Sequence, residues 1–261
     1  MTDSDNMQAA AKAIRQARQD RCPIEPVSTT YGITTAEQAY CIAQINHPFQ
    51  RQVLGRVTGK KVGLTAVAVQ KQLGISEPDY GLLFAGMEHL DHDDVPFDEF
   101  IAPKVEAEVA FIMDRDLKAE PPSFAEFVAS VAYTLPAIEI VDSVIKDWQI
   151  SLVDTVADNA SAARYVLGNQ PVRLGTVELH KIDMQLWVNH SVAVVGSATV
   201  CMGHPLRAAY WLACTMSEHG QPLRAGEVIL SGSLGPMKSV EKGDVVHAQL
   251  GKLGFVNCQF V

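Results

Sequence analysis

The amino-acid sequence predicts an α+β fold, with a helix-rich N-terminal region at 1–52 and a β-rich domain at 53–261. Three observations carry this. Amphipathic spacing with capping residues is concentrated in the first fifty positions, as at Ala10, Ile14 and Ala17 among Lys12, Arg15 and Arg18. From Val53 onward the texture changes to short β-rich runs separated by glycine and proline clusters. The run Pro103 to Met113 alternates with period two, so Val105, Ala107, Val109 and Phe111 share one strand face, and Glu106 and Glu108 the other.

Taken in order, the chain opens with a helix over Asn6 to Asp20, ended near Cys22-Pro23. Thr34 and Glu37 form a capping-box pair for a second helix that closes before Pro48. Two strand runs follow, Val53 to Thr58 and Lys60 to Thr65, interrupted by Gly55, Gly59 and Gly63. One or two helical turns are expected at Ala66 to Leu73, then a turn at Ser76 to Gly81 leading into Leu82-Leu83-Phe84. The acidic patch His89 to Asp94 reads as a solvated loop. After the two-glutamate strand, Ser123 and Glu126 cap a helix of two to three turns ending near Val131, and Pro136 to Asp142 is a strand. Asp154 to Ser161 reads as a helix or turn terminus before the strand Arg164 to Leu167. Val177 to Trp187 and Val192 to Ser197 form a hairpin about Asn189-His190-Ser191, and Pro205 to Glu218 is a helix with Gly220 past its end. The strand Glu227 to Leu230 runs into the small-residue loop Ser231 to Pro236, whose backbone is able to approach a ligand closely. Val245 to Leu250 and Gly254 to Phe260 make a terminal hairpin.

Composition narrows the function. With 48% apolar and 20% charged residues, the 261-residue chain is folded rather than disordered, and its apolar runs are too short to span a bilayer. A polar, charged start argues against a signal peptide, which makes a soluble cytoplasmic protein the expectation. Five cysteines with no C-x-x-C pair fit free thiols in a reducing compartment, with neither disulfide nor zinc expected. A formal charge of -9 argues against nucleic acid and membrane partners, so an anionic ligand would need a locally positive site.

Three acids draw attention. Glu106 and Glu108 stand roughly 6.6 Å apart along their strand, close enough to lean toward one hard cation. On this stretch alone an ordinary solvated strand face is the better explanation. Glu139 lies between Ile138 and Ile140 in a run too apolar for an exposed edge. A buried carboxylate needs a partner: a lysine such as Lys104 or Lys146, or the cation that Glu106 and Glu108 would hold.

Taken together, Gly59-Lys60-Lys61-Val62-Gly63-Leu64-Thr65, Pro78-Asp79-Tyr80-Gly81, Glu106-Ala107-Glu108, Ala137-Ile138-Glu139-Ile140 and Asp154 to Ser161 resemble the 2-oxopent-4-enoate (2-hydroxypenta-2,4-dienoate) hydratase family of the fumarylacetoacetase-like superfamily. The resemblance spans essentially the whole chain and implies a mixed β-roll core and a homo-oligomer. It also implies a Mg²⁺ or Mn²⁺ site on Glu106, Glu108 and Glu139. By the same matching Lys61 and Asp79 are the proton-handling pair, with the adjacent Lys60 ranked second. Both are expected beside glycine-rich turns rather than inside an apolar run.

Three carboxylates without histidine or thiolate suit a hard cation that keeps positions open for a 2-oxo or 2-hydroxydienoic acid substrate. The implied reaction ketonises the dienol to a conjugated enone and adds water at C4, giving 4-hydroxy-2-oxopentanoate. Two alternatives stand beside it: a 4-oxalocrotonate (2-oxo-3-hexenedioate) decarboxylase, and a non-catalytic partner subunit. A downstream aldolase or sister decarboxylase is the implied protein partner. Hydration is favoured because Lys146 to Ile150 leading into Asp154 to Ser161, and Ser231 to Gly235, resemble the hydratase pattern. A dicarboxylate would also need a further cation, for which only a lone Arg164 or Lys238 offers itself.

Overall fold

The computed structural model describes residues 2–67, 70 and 77–261. Helix α1 (Asp3–Asp20) starts before Asn6 because Thr2 and Asp5 form a reciprocal capping box, and it ends where Arg21 turns left-handed at φ 52°. After the single turn α2 (Val27–Thr30), helix α3 (Ala36–Leu54) is capped by Thr35 with Gln38, one residue beyond the expected pair. It runs through Pro48 instead of closing before it. Pro48 is exposed and forfeits one helical hydrogen bond, while Asn46 on one side bonds Arg15 and the Ala11 carbonyl, and Leu54 on the other packs against the sheet core. Ala10, Ile14, Ala17, Ala39 and Ile42 pack with Val144, Ile145, Val156 and Ala157, so the helical region shares its core with the later chain.

The two runs expected between Val53 and Thr65 are one strand, β1 (Val57–Gly63), and Val53 is still helical. Gly59 does not interrupt it. A Cβ there would stand 2.2 Å from the Val228 carbonyl oxygen, so glycine is what lets the neighbouring strand approach. The helical turns expected at Ala66 to Leu73, and Ser76 of the turn, lie largely outside the described residues.

The strands that follow are β2 (Asp79–Phe84), β3 (Glu88–Leu90), β4 (Asp94–Val95), β5 (Lys104–Met113), β6 (Val131–Val141), β7 (Ala162–Leu167), β8 (Asp183–Val188), β9 (Ser191–Ser197), β10 (Val228–Leu230), β11 (Lys238–Ser239), β12 (Val245–Leu250) and β13 (Gly254–Phe260). Between them lie α4 (Phe124–Val128), α5 (Leu152–Ala157) and α6 (Pro205–Glu218). Helix α4 has the expected Ser123 and Glu126 box but is shorter than expected, since β6 already begins at Val131. Strand β8 begins at Asp183 rather than Val177, and Asn189 and His190 make its hairpin turn with φ 51° and 66°.

One sheet has the order β2-β1-β10-β5-β6-β7-β3, with β11 also pairing β5; the other has the order β4-β13-β12-β8-β9. Both are mixed, because β1 pairs β10, β3 pairs β7 and β4 pairs β13 in parallel among antiparallel neighbours. Val105, Ala107, Val109 and Phe111 of β5, with Ile138 and Ile140 of β6, pack with Leu186, Ala248, Val256 and α6 in the main core of this mixed roll. The opposite face of the larger sheet carries Ala110, Ala137, Tyr165 and Leu230, and on that face the acids lie. All five cysteines are free, and among the described residues no helix is long and apolar enough to cross a membrane.

Candidate metal centre and catalytic face

Cross-strand register puts five chemistry-bearing residues on one face of the larger sheet. Glu106 on β5 is directly opposite Glu139 on β6, and Glu108 shares their face two residues on. Through Ala110 and Leu230 the same face continues to Lys61 on β1, and from there to Gly81, Gly63 and Asp79. Each of Glu106, Glu108 and Glu139 offers one oxygen within 4.8 Å of the others. The solvated-face reading of the β5 acids is thereby excluded: Glu108 and Glu139 are both 0% exposed, and Glu106 is only partly exposed.

Glu139 finds neither lysine expected for it. Lys104 stacks over Trp148, and Lys146 sits near Glu25 at the surface. Its neighbour is Lys61, whose Nζ is 3.3 Å from Glu139 Oε1 and donates to the Ala160 carbonyl at 3.0 Å. Lys60 leans to the opposite face, where Glu227 accepts both its bonds at 2.8 Å. Lys61 and Asp79 are strand residues with 4% and 2% exposure, Asp79 opening β2 just after the bend at Glu77. Gly63 makes room for the pair, since a Cβ there would be 2.1 Å from Asp79 Oδ1 and 3.3 Å from Lys61 Nζ. The Ser231 to Pro236 loop does approach the site through its backbone: Gly232 N–H donates to Glu108 Oε2 at 2.7 Å.

Electrostatics make this face unusual. Four carboxylates surround one ammonium, and Asp79 Oδ1, Glu108 Oε1 and both oxygens of Glu139 accept no hydrogen bond among the described residues. Burial, then the Glu139 charge, pushes Glu106 up to about 7. Burial, reinforced by Glu139 and Glu106, pushes Glu108 well above the usual range. Burial raises Glu139 and Asp79 as well, with Lys61 opposing in both. Burial alone would lower Lys61, but Glu139, Asp79, Glu106 and Glu108 outweigh it and hold the ammonium charged. Unpartnered, crowded carboxylate oxygens with no soft ligand among them fit a hard divalent cation.

This crowding has a measurable consequence. Each raised carboxyl keeps its proton to higher pH in the folded state than in the unfolded chain, so folding binds protons and stability falls as pH rises. For Glu106 that window opens at the ordinary 4.5 and closes near 7. With a chelator present, the Tm is expected to drop between pH 5 and 8, and Mg²⁺ is expected to raise Tm more at pH 8 than at pH 5. An Mg²⁺ effect independent of pH would contradict the buried-charge account.

Sequence reasoning missed the backbone groups around Lys61. The Ala160 carbonyl that accepts its bond is presented by Asn159, Ala160 and Ser161, all left-handed at φ 56°, 53° and 55°. Without a glycine or a turn motif to mark it, that geometry had no signal in the sequence. Asp79 also lines a cavity of about 580 Å³ with Tyr40, Tyr80, Trp211 and His219, where Tyr40 stacks on Tyr80 and Tyr80 bonds His219.

Known proteins resemble this chain over its whole length. Residues 87–261 match the model of the fumarylacetoacetate (FAA) hydrolase C-terminal family. The chain is 43% identical to a 2-keto-4-pentenoate hydratase of Paraburkholderia phymatum over 260 residues, covering 100% of this chain and 99% of the relative. It is 45% identical to 2-keto-4-pentenoate hydratase 3 of Pseudomonas putida over 251 residues, covering 96% and 93%. Among solved structures, 4-oxalocrotonate decarboxylase from Pseudomonas putida G7, complexed with magnesium and adipate, superposes with a TM-score of 0.91 at 28% identity, covering 100% and 99%. With its fold, its acid cluster and full-length similarity to these enzymes, the chain belongs to the 2-keto-4-pentenoate hydratase family of fumarylacetoacetate hydrolase-type proteins.

Proposed function

We propose that this protein is a hydro-lyase that converts 2-hydroxypenta-2,4-dienoate (2-oxopent-4-enoate) to 4-hydroxy-2-oxopentanoate in the meta-cleavage breakdown of aromatic compounds. The observation that carries the reading is the convergence of Lys61, Asp79, Glu106, Glu108 and Glu139 on one sheet face, in a chain 43% identical over its whole length to a named hydratase. Glu106, Glu108 and Glu139 would hold Mg²⁺ or Mn²⁺. When bound, that ion supplies Lewis acidity toward the carboxylate and keto oxygens of a 2-oxo acid.

The chain's own groups handle the protons. Ketonisation removes a proton from the 2-hydroxyl and delivers one to C5; hydration then splits one water, placing its hydroxyl at C4 and a proton at C3. Asp79 is assigned to proton exchange through Oδ1, which has no hydrogen-bond partner among the described residues, while burial raises the carboxyl from its ordinary value. Lys61, held charged, supplies the positive group that a substrate anion needs in an acidic protein. We further propose that the active form is a cytoplasmic homo-oligomer, working ahead of an aldolase that cleaves the 4-hydroxy-2-oxo acid or beside a sister decarboxylase.

The solved 4-oxalocrotonate decarboxylase keeps decarboxylation in view as a second reading. A second substrate carboxylate calls for a free cation. Among the described residues, Arg164 is engaged by Glu99 and the Ala163 carbonyl, and Lys238 pairs with Val105, off the face of the acids. This favours a monocarboxylate. Offered separately with Mg²⁺, 2-hydroxypenta-2,4-dienoate is expected to yield 4-hydroxy-2-oxopentanoate, and 2-oxo-3-hexenedioate is expected to release no CO₂. CO₂ from the dicarboxylate without hydration of the monocarboxylate would replace the hydratase reading and leave the acid cluster standing. No turnover of either substrate would point to a non-catalytic partner subunit.

A further inference from the structure

Among the described residues Lys61 is the cation paired with Glu139, while Lys104, at the end of the same β5 face, stacks over Trp148; the direction of the buried Lys61 ammonium among four carboxylates therefore depends on what holds it. Its direct cross-strand neighbour on β2 is Gly81. A side chain there would share the face of Lys61 and fill the space beside it. Glycine leaves that space open, and the backbone of Asn159 and Ala160 occupies it: a Cβ on Gly81 would be 2.3 Å from the Asn159 carbonyl oxygen and 3.2 Å from Ala160 Cβ. From this position the Ala160 carbonyl accepts the Lys61 hydrogen bond at 3.0 Å.

Holding that carbonyl in place requires three consecutive non-glycine residues in the left-handed region, a conformation that persists only where surrounding bonds enforce it. Asn159 supplies a two-pronged bond to β2: its Oδ1 accepts from Leu82 N–H at 2.8 Å and its Nδ2 donates to the Leu82 carbonyl at 2.9 Å. The ends are tied separately. Asp158 accepts from Val144 N–H and from Arg18 of α1, and the Ser161 carbonyl accepts from Asp142 N–H at 2.9 Å. Of these ties, the Asn159 clamp alone joins the left-handed run to the strand that pairs with Lys61.

We infer that Asn159 is a positioning residue for Lys61: by clamping the 159–161 run onto Leu82 over Gly81, it fixes the Ala160 carbonyl that aims the Lys61 ammonium along the acid face. This rests on the reading of Lys61 as a working residue of the site. Glycine is the informative substitution, because it accepts a positive φ and removes only the clamp.

Asn159→Gly is expected to lower kcat about 10- to 100-fold and to raise KM as well, because the ammonium that it aims is the group that meets the substrate anion. Mg²⁺ affinity, measured by titration, is expected to stay near wild type, since no acid moves. In the Lys61→Ala background the same change is expected to cost no further turnover, because the group it aims is gone. Should Asn159→Gly not fold, Asn159→Ala, which removes both bonds to Leu82 without adding a charge, carries the same test. Wild-type kcat in the Asn159 variant beside an inactive Lys61→Ala, or an equal proportional loss in both backgrounds, overturns this inference alone. Wild-type turnover in Lys61→Ala overturns the Lys61 reading and this inference with it.

Discussion

Replacing Glu139 by glutamine is expected to abolish turnover and weaken Mg²⁺ affinity on the order of 100-fold or more, at least the loss that removing even a supporting residue of a metal site brings. The size of the effect follows from the surroundings. Glu139 lies across the sheet from Glu106, is fully buried, and has both oxygens unbonded except for the Lys61 charge 3.3 Å away. A residue of this kind contributes to folding only as a cost, which a dication offsets. Glutamine keeps the shape and removes one of four crowded negative charges, so the chelated Glu139→Gln protein is expected to melt no lower than wild type. Glu106→Gln is expected to behave alike. Wild-type Mg²⁺ affinity in both variants would sink the three-acid site, whereas lost affinity with a collapsed fold in both would point to a packing role instead.

The legible parts of this site were those written in the strand period. Two acids at alternate positions of β5 and one acid between isoleucines of β6 are visible in the chain, because a period of two fixes which side chains share a face. The terminal hairpin, α6 and the Ser123 box were legible for the same kind of reason, since their signals are local. What the sequence concealed is set by long-range pairing. No local pattern says that β10, from near residue 228, inserts between β1 and β5 and so carries Lys61 onto the face of Glu139. Lys104 and Lys146 were the natural partners by proximity in sequence; the actual one comes from 78 positions earlier, counting from Lys61 to Glu139. The glycines misled for a related reason. Gly59 and Gly63 look like strand breaks, yet one admits a neighbouring backbone and the other the Asp79 carboxylate, and neither neighbour can be seen from the local sequence. Pro48 was read as a stop, but tertiary packing on either side carries the helix past it.

Asp79→Asn is expected to lose turnover by about 100- to 10,000-fold, the range that removing a positioned proton-transfer group costs, and Lys61→Ala by about 100- to 1,000-fold, the loss of a fixed positive group. Their stabilities should move apart. Among the described residues Lys61 is the positive charge paired with Glu139, and deleting one partner of a buried pair typically costs about 3–5 kcal/mol. In chelated Lys61→Ala that penalty should be largest at pH 8 and shrink toward pH 5, where the raised carboxyls bind protons and no longer need a counter-charge. Mg²⁺ should restore much of the lost Tm without restoring turnover. Asp79→Asn removes a buried charge whose Oδ1 has no hydrogen-bond partner among the described residues, and three acids remain to hold Lys61, so its Tm should equal or exceed that of wild type. An inactive protein that is at least as stable as its parent and still binds Mg²⁺ separates a working acid from a structural one. Normal turnover in folded Asp79→Asn would remove Asp79 from the proposed chemistry and leave proton transfer to be assigned elsewhere on the same face.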